Sequence, residues 1–137
     1  MKRKKINNPT KKTSNFNIPQ TVENKSYDQC KPYFSLTHIQ KEHSIENCEK
    51  DEKAALIDTL YRLSQKTWSE IKTMPRHGLG FEKISRTSIK AGIPNHITED
   101  VIFIAFRFYG KAPIVGYRDK QVFNIVWIDR EFNLYKH

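Results

Sequence analysis

At 137 residues the chain is long enough for one domain with a real core and short for two. Its 24 Lys and Arg against 15 Asp and Glu give a formal net charge of +9, which favours a polyanionic partner: RNA, DNA, an acidic protein or an anionic surface. No run approaches the ~18 apolar residues that would span a bilayer, and no apolar segment follows the charged start Met1-Lys-Arg-Lys-Lys5, so a soluble cytoplasmic protein with no membrane role is expected.

Residues 1–30 read as a basic, disordered tail. Asn, Lys, Thr and Ser dominate, Pro9 and Pro19 interrupt, and seven basic residues face only Glu23 and Asp28. Such a segment cannot offset its ordering entropy alone, although it could serve as an electrostatic arm. Residues 31–137 are expected to form a single α+β domain. Within it, residues 31–70 are close to neutral, whereas residues 71–137 carry eleven basic residues against six acidic ones, which puts any anion site in the second half. Cys30 and Cys48 stand alone, and His38 and His43 are five apart, so neither a metal site nor a cofactor is expected.

Lys31 to Leu36 suits a first strand or the entry to a helix, and Thr37 is a candidate cap for a helical turn through His43. A helix is expected from near Asn47, where Leu56, Leu60 and Leu63 form one apolar stripe with Ile57, Tyr61 and Trp68 beside it. Thr67-Trp-Ser-Glu70 is a capping-box pattern, so the helix should pause near Ser64, restart, and stop before Pro75. Trp68 and Ile71 read as core. Leu79 to Ser85 is a further strand, and residues 86–98 carry loop chemistry at Gly92-Ile-Pro94.

Residues 101–137 hold the densest run of β-branched and aromatic residues. Ile102, Ile104, Phe106 and Phe108 fall on one face of a strand, and Arg107 and Tyr109 fall on the other. Residues 114–118 and 121–128 pair as a hairpin if Asp119-Lys120 is the loop, which puts Arg118 on the face of Phe123, Ile125 and Trp127. Asn133 to Lys136 adds a short last strand. The expected fold is a helical pair on one face of a twisted, mainly antiparallel sheet of four to five strands.

Gly78-Leu-Gly-Phe-Glu-Lys-Ile84, Phe106-Arg-Phe108, Ile114-Val-Gly-Tyr-Arg-Asp119 and the ending Phe123 to Tyr135 resemble, in order and texture, the RelE/ParE superfamily and its HigB-type members. The resemblance spans roughly residues 33–137. It implies a RelE-like fold and a toxin of a type II toxin–antitoxin pair. Such a toxin would be a metal-independent mRNA endoribonuclease, acting on free message or on the ribosome, with a cognate antitoxin protein as partner. The basic tail and the 86–98 loop depart from that family.

Metal-free RNA cleavage needs a base for the ribose 2′-OH, cations for the phosphorane and an acid for the leaving oxygen. The catalytic candidates are Arg107 and Arg118 for the phosphate, His77 or His137 for proton transfer, and Tyr135. Glu82 is a further candidate beside them. Lys83, Tyr109, Lys111, Tyr117, Lys120 and Arg130 are candidates for RNA contact, the tyrosines by stacking on bases. Two other readings stay open: a non-catalytic nucleic-acid-binding module, and a ParE-like or other interaction protein of the same fold. A shared phosphate site requires Arg107 and Arg118 on one side of the sheet.

Overall fold

The structure, a computed structural model, describes residues 24–136. Most of the expected tail, residues 1–23, and the candidate His137 lie outside the described residues.

Among the described residues, two helices pack on one face of an open five-stranded mixed sheet. The strands are β1 (Tyr33–Ser35), β2 (Phe81–Ile84), β3 (Phe103–Tyr109), β4 (Ala112–Asp119) and β5 (Val122–Ile128), and the helices are α1 (Lys50–Ser64) and α2 (Trp68–Lys72). The sheet order is β1-β5-β4-β3-β2. Only β1 runs parallel to its neighbour; the other three pairings are antiparallel.

The expected helix is broken as its sequence predicts. Thr67 and Glu70 exchange side-chain and backbone hydrogen bonds at the start of α2. The chain leaves the helix at Thr73, before Pro75, which can supply no N–H to a further turn. The start of α1 lies a few residues later than expected, because residues 45–47 form a separate 3₁₀ turn. Nor does Thr37 cap a helix. The helical turn there is the 3₁₀ turn Lys41–His43, which follows Gln40.

The sheet is buried on both sides. On the helix face, Leu56, Leu63, Trp68 and Ile71 meet Ile104, Phe106, Phe123 and Ile125. On the opposite face, Phe103, Val115, Val126 and Trp127 are covered by Ile97, Leu134 and Tyr135 from the 86–98 loop and the C-terminal segment. Each fully buried aliphatic or aromatic side chain contributes roughly 1.5–3 kcal/mol, so both layers count in holding the sheet. Ile57 and Tyr61, expected beside the stripe, are exposed, as is Ile102 ahead of β3.

Two details of the β4–β5 hairpin differ from the expected register. Asp119 pairs with Val122, so the loop is Lys120-Gln121, with Lys120 at φ 60°. The pairing also shifts between Val115 and Gly116, where a bulge in β5 turns both Val126 and Trp127 towards the second core. Arg118 therefore shares a face with Phe123 and Ile125, as expected, but not with Trp127. Gly116 is required at this bulge, because a Cβ there would collide with the carbonyl oxygen of Asn124. The expected last strand is reduced to one bridge, Ile89 to Tyr135.

Residues 24–30, the end of the expected tail, are tied to the domain. Trp68 N donates to Cys30 O (3.0 Å), Ser69 N donates to Asp28 O (2.8 Å), and Asn24 bonds to Arg118 and Lys120. The reason is a buried cation, which needs the oxygens this segment supplies.

Candidate active-site cleft

Alternation along β3 turns Phe106 and Phe108 to the helices, and Ala105 and Arg107 to the other side. The β2–β3 register sets Glu82 opposite Ala105 and so on the Arg107 side. The small Ala105 and the β4 proline, Pro113, leave room between them. Arg107, Glu82, Lys111, Arg76, Phe132 and Tyr135 close a cleft of about 240 Å³ around that space.

Arg76 and His77 arrive on the loop between α2 and β2. Gly78 N and Gly80 N both donate to Pro75 O at 3.0 Å, which folds the loop back on itself. Gly80 makes this closure feasible, since a Cβ there would collide with Met74 O. Arg76 pairs with Glu82 at 3.2 Å, and His77 Nδ1 lies 3.4 Å from Arg107 Nη1. An arginine only donates, so in this contact Nδ1 is the accepting atom. Both members of the Arg76–Glu82 pair are substantially exposed, so it contributes little to stability and is available for exchange with a ligand.

Tyr135 is held from behind. The fully buried Asp129 carboxylate accepts from Asn133 N (2.9 Å) and Leu134 N (3.0 Å), and Lys90 N donates to Leu134 O (2.7 Å). Burial, with the nearby Glu82 and Asp129 carboxylates adding to it, pushes the Tyr135 phenol up to about 12 against the lowering influence of Arg107 and Arg76. The phenol is therefore protonated at neutral pH, a hydrogen-bond donor and not a base.

Of the sequence candidates, the structure brings together Arg107, His77, Tyr135 and Lys111, with Glu82 beside them. The others lie apart. Arg118 is on the helix face, 9% exposed, paired with Asp28 at 2.8 Å and lying 4.5 Å over the Trp68 ring. Its Nη2 donates to Asn24 O (2.7 Å) and its Nε donates to Lys120 O (2.6 Å). It cannot share a phosphate with Arg107, because the sheet stands between them. Arg130 pairs with Glu52 at 2.9 Å, on the carboxylate that also accepts from Glu49 N–H at the start of α1. Tyr117 is buried in the second core and offers no face to a base. Tyr109 donates to Asp51 at the first turn of α1 (2.5 Å). Lys83, opposite Ile104, points to the helix side at the β2 edge, and Lys120 is at the hairpin tip.

Arg76 and Phe132 are cleft residues absent from the sequence candidates. Arg76 had a signal, a basic pair with His77 between Pro75 and Gly78. Phe132 had none, because its place depends on a left-handed backbone, φ 57°, in the turn after β5.

Among the described residues, no helix is long and apolar enough to cross a membrane, and no three His, Cys, Asp or Glu side chains gather as a metal-binding set. Comparison with protein-family models, with curated proteins and with solved structures gives no match to this chain.

Proposed function

We propose that the protein is a RelE-like, HigB-type toxin that cleaves mRNA without a metal, with a cognate antitoxin as its partner. The observation that carries this reading is the cleft itself. Two arginines, a lysine, a histidine, a carboxylate and a protonated phenol converge on the face of the sheet opposite the helices. An anion at that position meets Arg76, Arg107 and Lys111 against Glu82, the one carboxylate of the lining.

The reaction is attack of a ribose 2′-oxygen on the adjacent phosphorus. The 2′-O–P bond forms, the P–O5′ bond breaks, and a 2′,3′-cyclic phosphate and a 5′-hydroxyl result. When the phosphate draws Arg107 to itself, His77 Nδ1 is released to accept the 2′-OH proton. Arg107 and Arg76 offset the charge of the dianionic phosphorane. Tyr135, protonated at neutral pH, gives its proton to the departing 5′-oxygen and regains one from water, while the proton taken up by His77 passes to solvent.

The test is cleavage of a labelled RNA by the purified protein, alone and with ribosomes, in the presence of EDTA. Product should appear, and Arg107→Ala and His77→Ala should each lower its rate by about 10²-fold or more. Intact RNA under both conditions overturns the reading. Tight, salt-sensitive RNA binding without turnover would instead favour a non-catalytic binding module.

A further inference from the structure

A second cavity, about 580 Å³, lies on the same side of the sheet as the cleft. Its volume falls within the ~300–1,000 Å³ of small-molecule sites. The C-terminal segment separates the two spaces: Phe132 and Tyr135 line the cleft, whereas Asn133 and Leu134 line the cavity. Gln40, His43, Lys90 and Trp127 supply the rest of the lining that matters.

The composition of this lining is informative. Gln40 and Asn133 are primary amides, able to match the donor and acceptor edge of a nucleobase. Gln40 Nε2 already donates to His38 O (2.8 Å), which leaves its amide oxygen as the acceptor. Lys90 and His43 suit a phosphate; Glu42 is the carboxylate of the lining, and the Asp129 carboxylate behind it is bonded to Asn133 N and Leu134 N. Trp127 is fully buried and its indole N–H has no hydrogen-bond partner. A buried donor without a partner is costly, and an acceptor that reached it would offset that cost.

We propose that this cavity is a nucleotide subsite: it takes the nucleotide flanking the phosphate held in the cleft, base towards Trp127 and Asn133, phosphate towards Lys90. The proposal rests on the RNA reading for the strand's path and on the cavity's own lining for the ligand. The substrate class is then single-stranded RNA, since the base must leave its stack to enter.

The experiment is binding of the four 5′-mononucleotides and of a short single-stranded oligoribonucleotide to the full chain. Wild type is compared with Lys90→Ala, Asn133→Ala, Trp127→Phe and Arg107→Ala. Lys90 and Asn133 are exposed, so their variants fold, and Trp127→Phe keeps a ring while deleting the donor. Mononucleotide and oligonucleotide affinity should fall about tenfold in Lys90→Ala and Asn133→Ala, and several-fold in Trp127→Phe, measured well below its unfolding temperature. In Arg107→Ala, oligonucleotide affinity should fall, because the cleft contact to the adjacent phosphate is lost. Binding or cleavage of RNA that is indifferent to all three cavity variants overturns the subsite and leaves the cleft reading standing. Mononucleotide binding that depends on Lys90 and Asn133, in a protein that cleaves no RNA, supports the subsite and overturns the reaction. No nucleotide bound by the wild type overturns the subsite outright.

Discussion

Two arginines that look alike in sequence have opposite duties in the fold. Arg107 is at the cleft, its hydrogen-bonded neighbour an exposed histidine; Arg118 is a buried strut whose carboxylate partner is ninety residues away. Removing one partner of a buried pair leaves an uncompensated charge, typically at a cost of ~3–5 kcal/mol. Arg118→Ala should therefore destabilise the protein by about 3 kcal/mol in urea or thermal unfolding, and Arg118→Lys should recover only part, because a lysine cannot reproduce the forked contacts. Arg107→Ala should unfold within about 0.5 kcal/mol of wild type. The alternation within each strand was legible in the sequence, but whether Arg107 and Arg118 share a face was not, because that depends on the pairing register between β3, β4 and β5. Nor was the role of Arg118, because nothing local marks Asn24 and Asp28 as its partners. Lys120 adds a smaller case. Its φ of 60° suits glycine better, so Lys120→Gly should stabilise the hairpin by about 0.5–1 kcal/mol, read as a raised unfolding midpoint.

At the scale of elements, the sequence reads well wherever periodicity or capping is strong. The break between α1 and α2, the burial of Trp68 and Ile71, and the apolar face of β3 follow from side-chain spacing and from Thr67-Trp-Ser-Glu70. The C-terminal segment reads less well. Composition suggests a strand at Asn133 to Lys136, but the chain is held by the Asp129 carboxylate in place of a ladder. That gives Asp129 leverage over the cleft, since Leu134 and Tyr135 follow directly from the turn it ties. Asp129→Asn substitutes an amide N–H₂ for one acceptor and should cost ~1–3 kcal/mol. Activity should fall further than stability alone explains, a difference visible if cleavage is assayed well below the unfolding temperature. A fall in activity that merely tracks the unfolded fraction would show that the turn does not position Tyr135.

Over the whole molecule, the ion pairs that bind distant segments are carboxylate-dependent. Burial alone would raise the Asp28 carboxyl, but hydrogen bonds from Lys72 and Arg118 outweigh it and hold it below its ordinary value. The Glu52 carboxyl is lowered first by its hydrogen bond from Arg130, then by the Glu49 N–H. Groups depressed on folding stabilise above their unfolded pKa of ~4, and that contribution is lost as pH falls through the depressed values. Stability should therefore decline on acidification below about pH 4–5, and Asp28→Asn should flatten that decline while lowering stability at neutral pH. The basic excess of the second half of the chain shows itself in a different measurement. RNA affinity should fall steeply with added salt, with a slope near −0.7 per phosphate engaged on a single strand.

The parallel pairing of β1 with β5 has a consequence for how the molecule is made. β1 is the first of the described strands to be synthesised and its neighbour β5 is the last of them, so its register partners Val122, Phe123 and Asn124 come nearly ninety residues later. The centre of the sheet is likewise its latest part, since β4 and β5 follow everything they are to organise. β2, β3 and β4 can pair with one another as they emerge, but β1 has no sheet partner until β5 is made. Closing that edge is a long-range step, slow compared with local hairpin or helix formation.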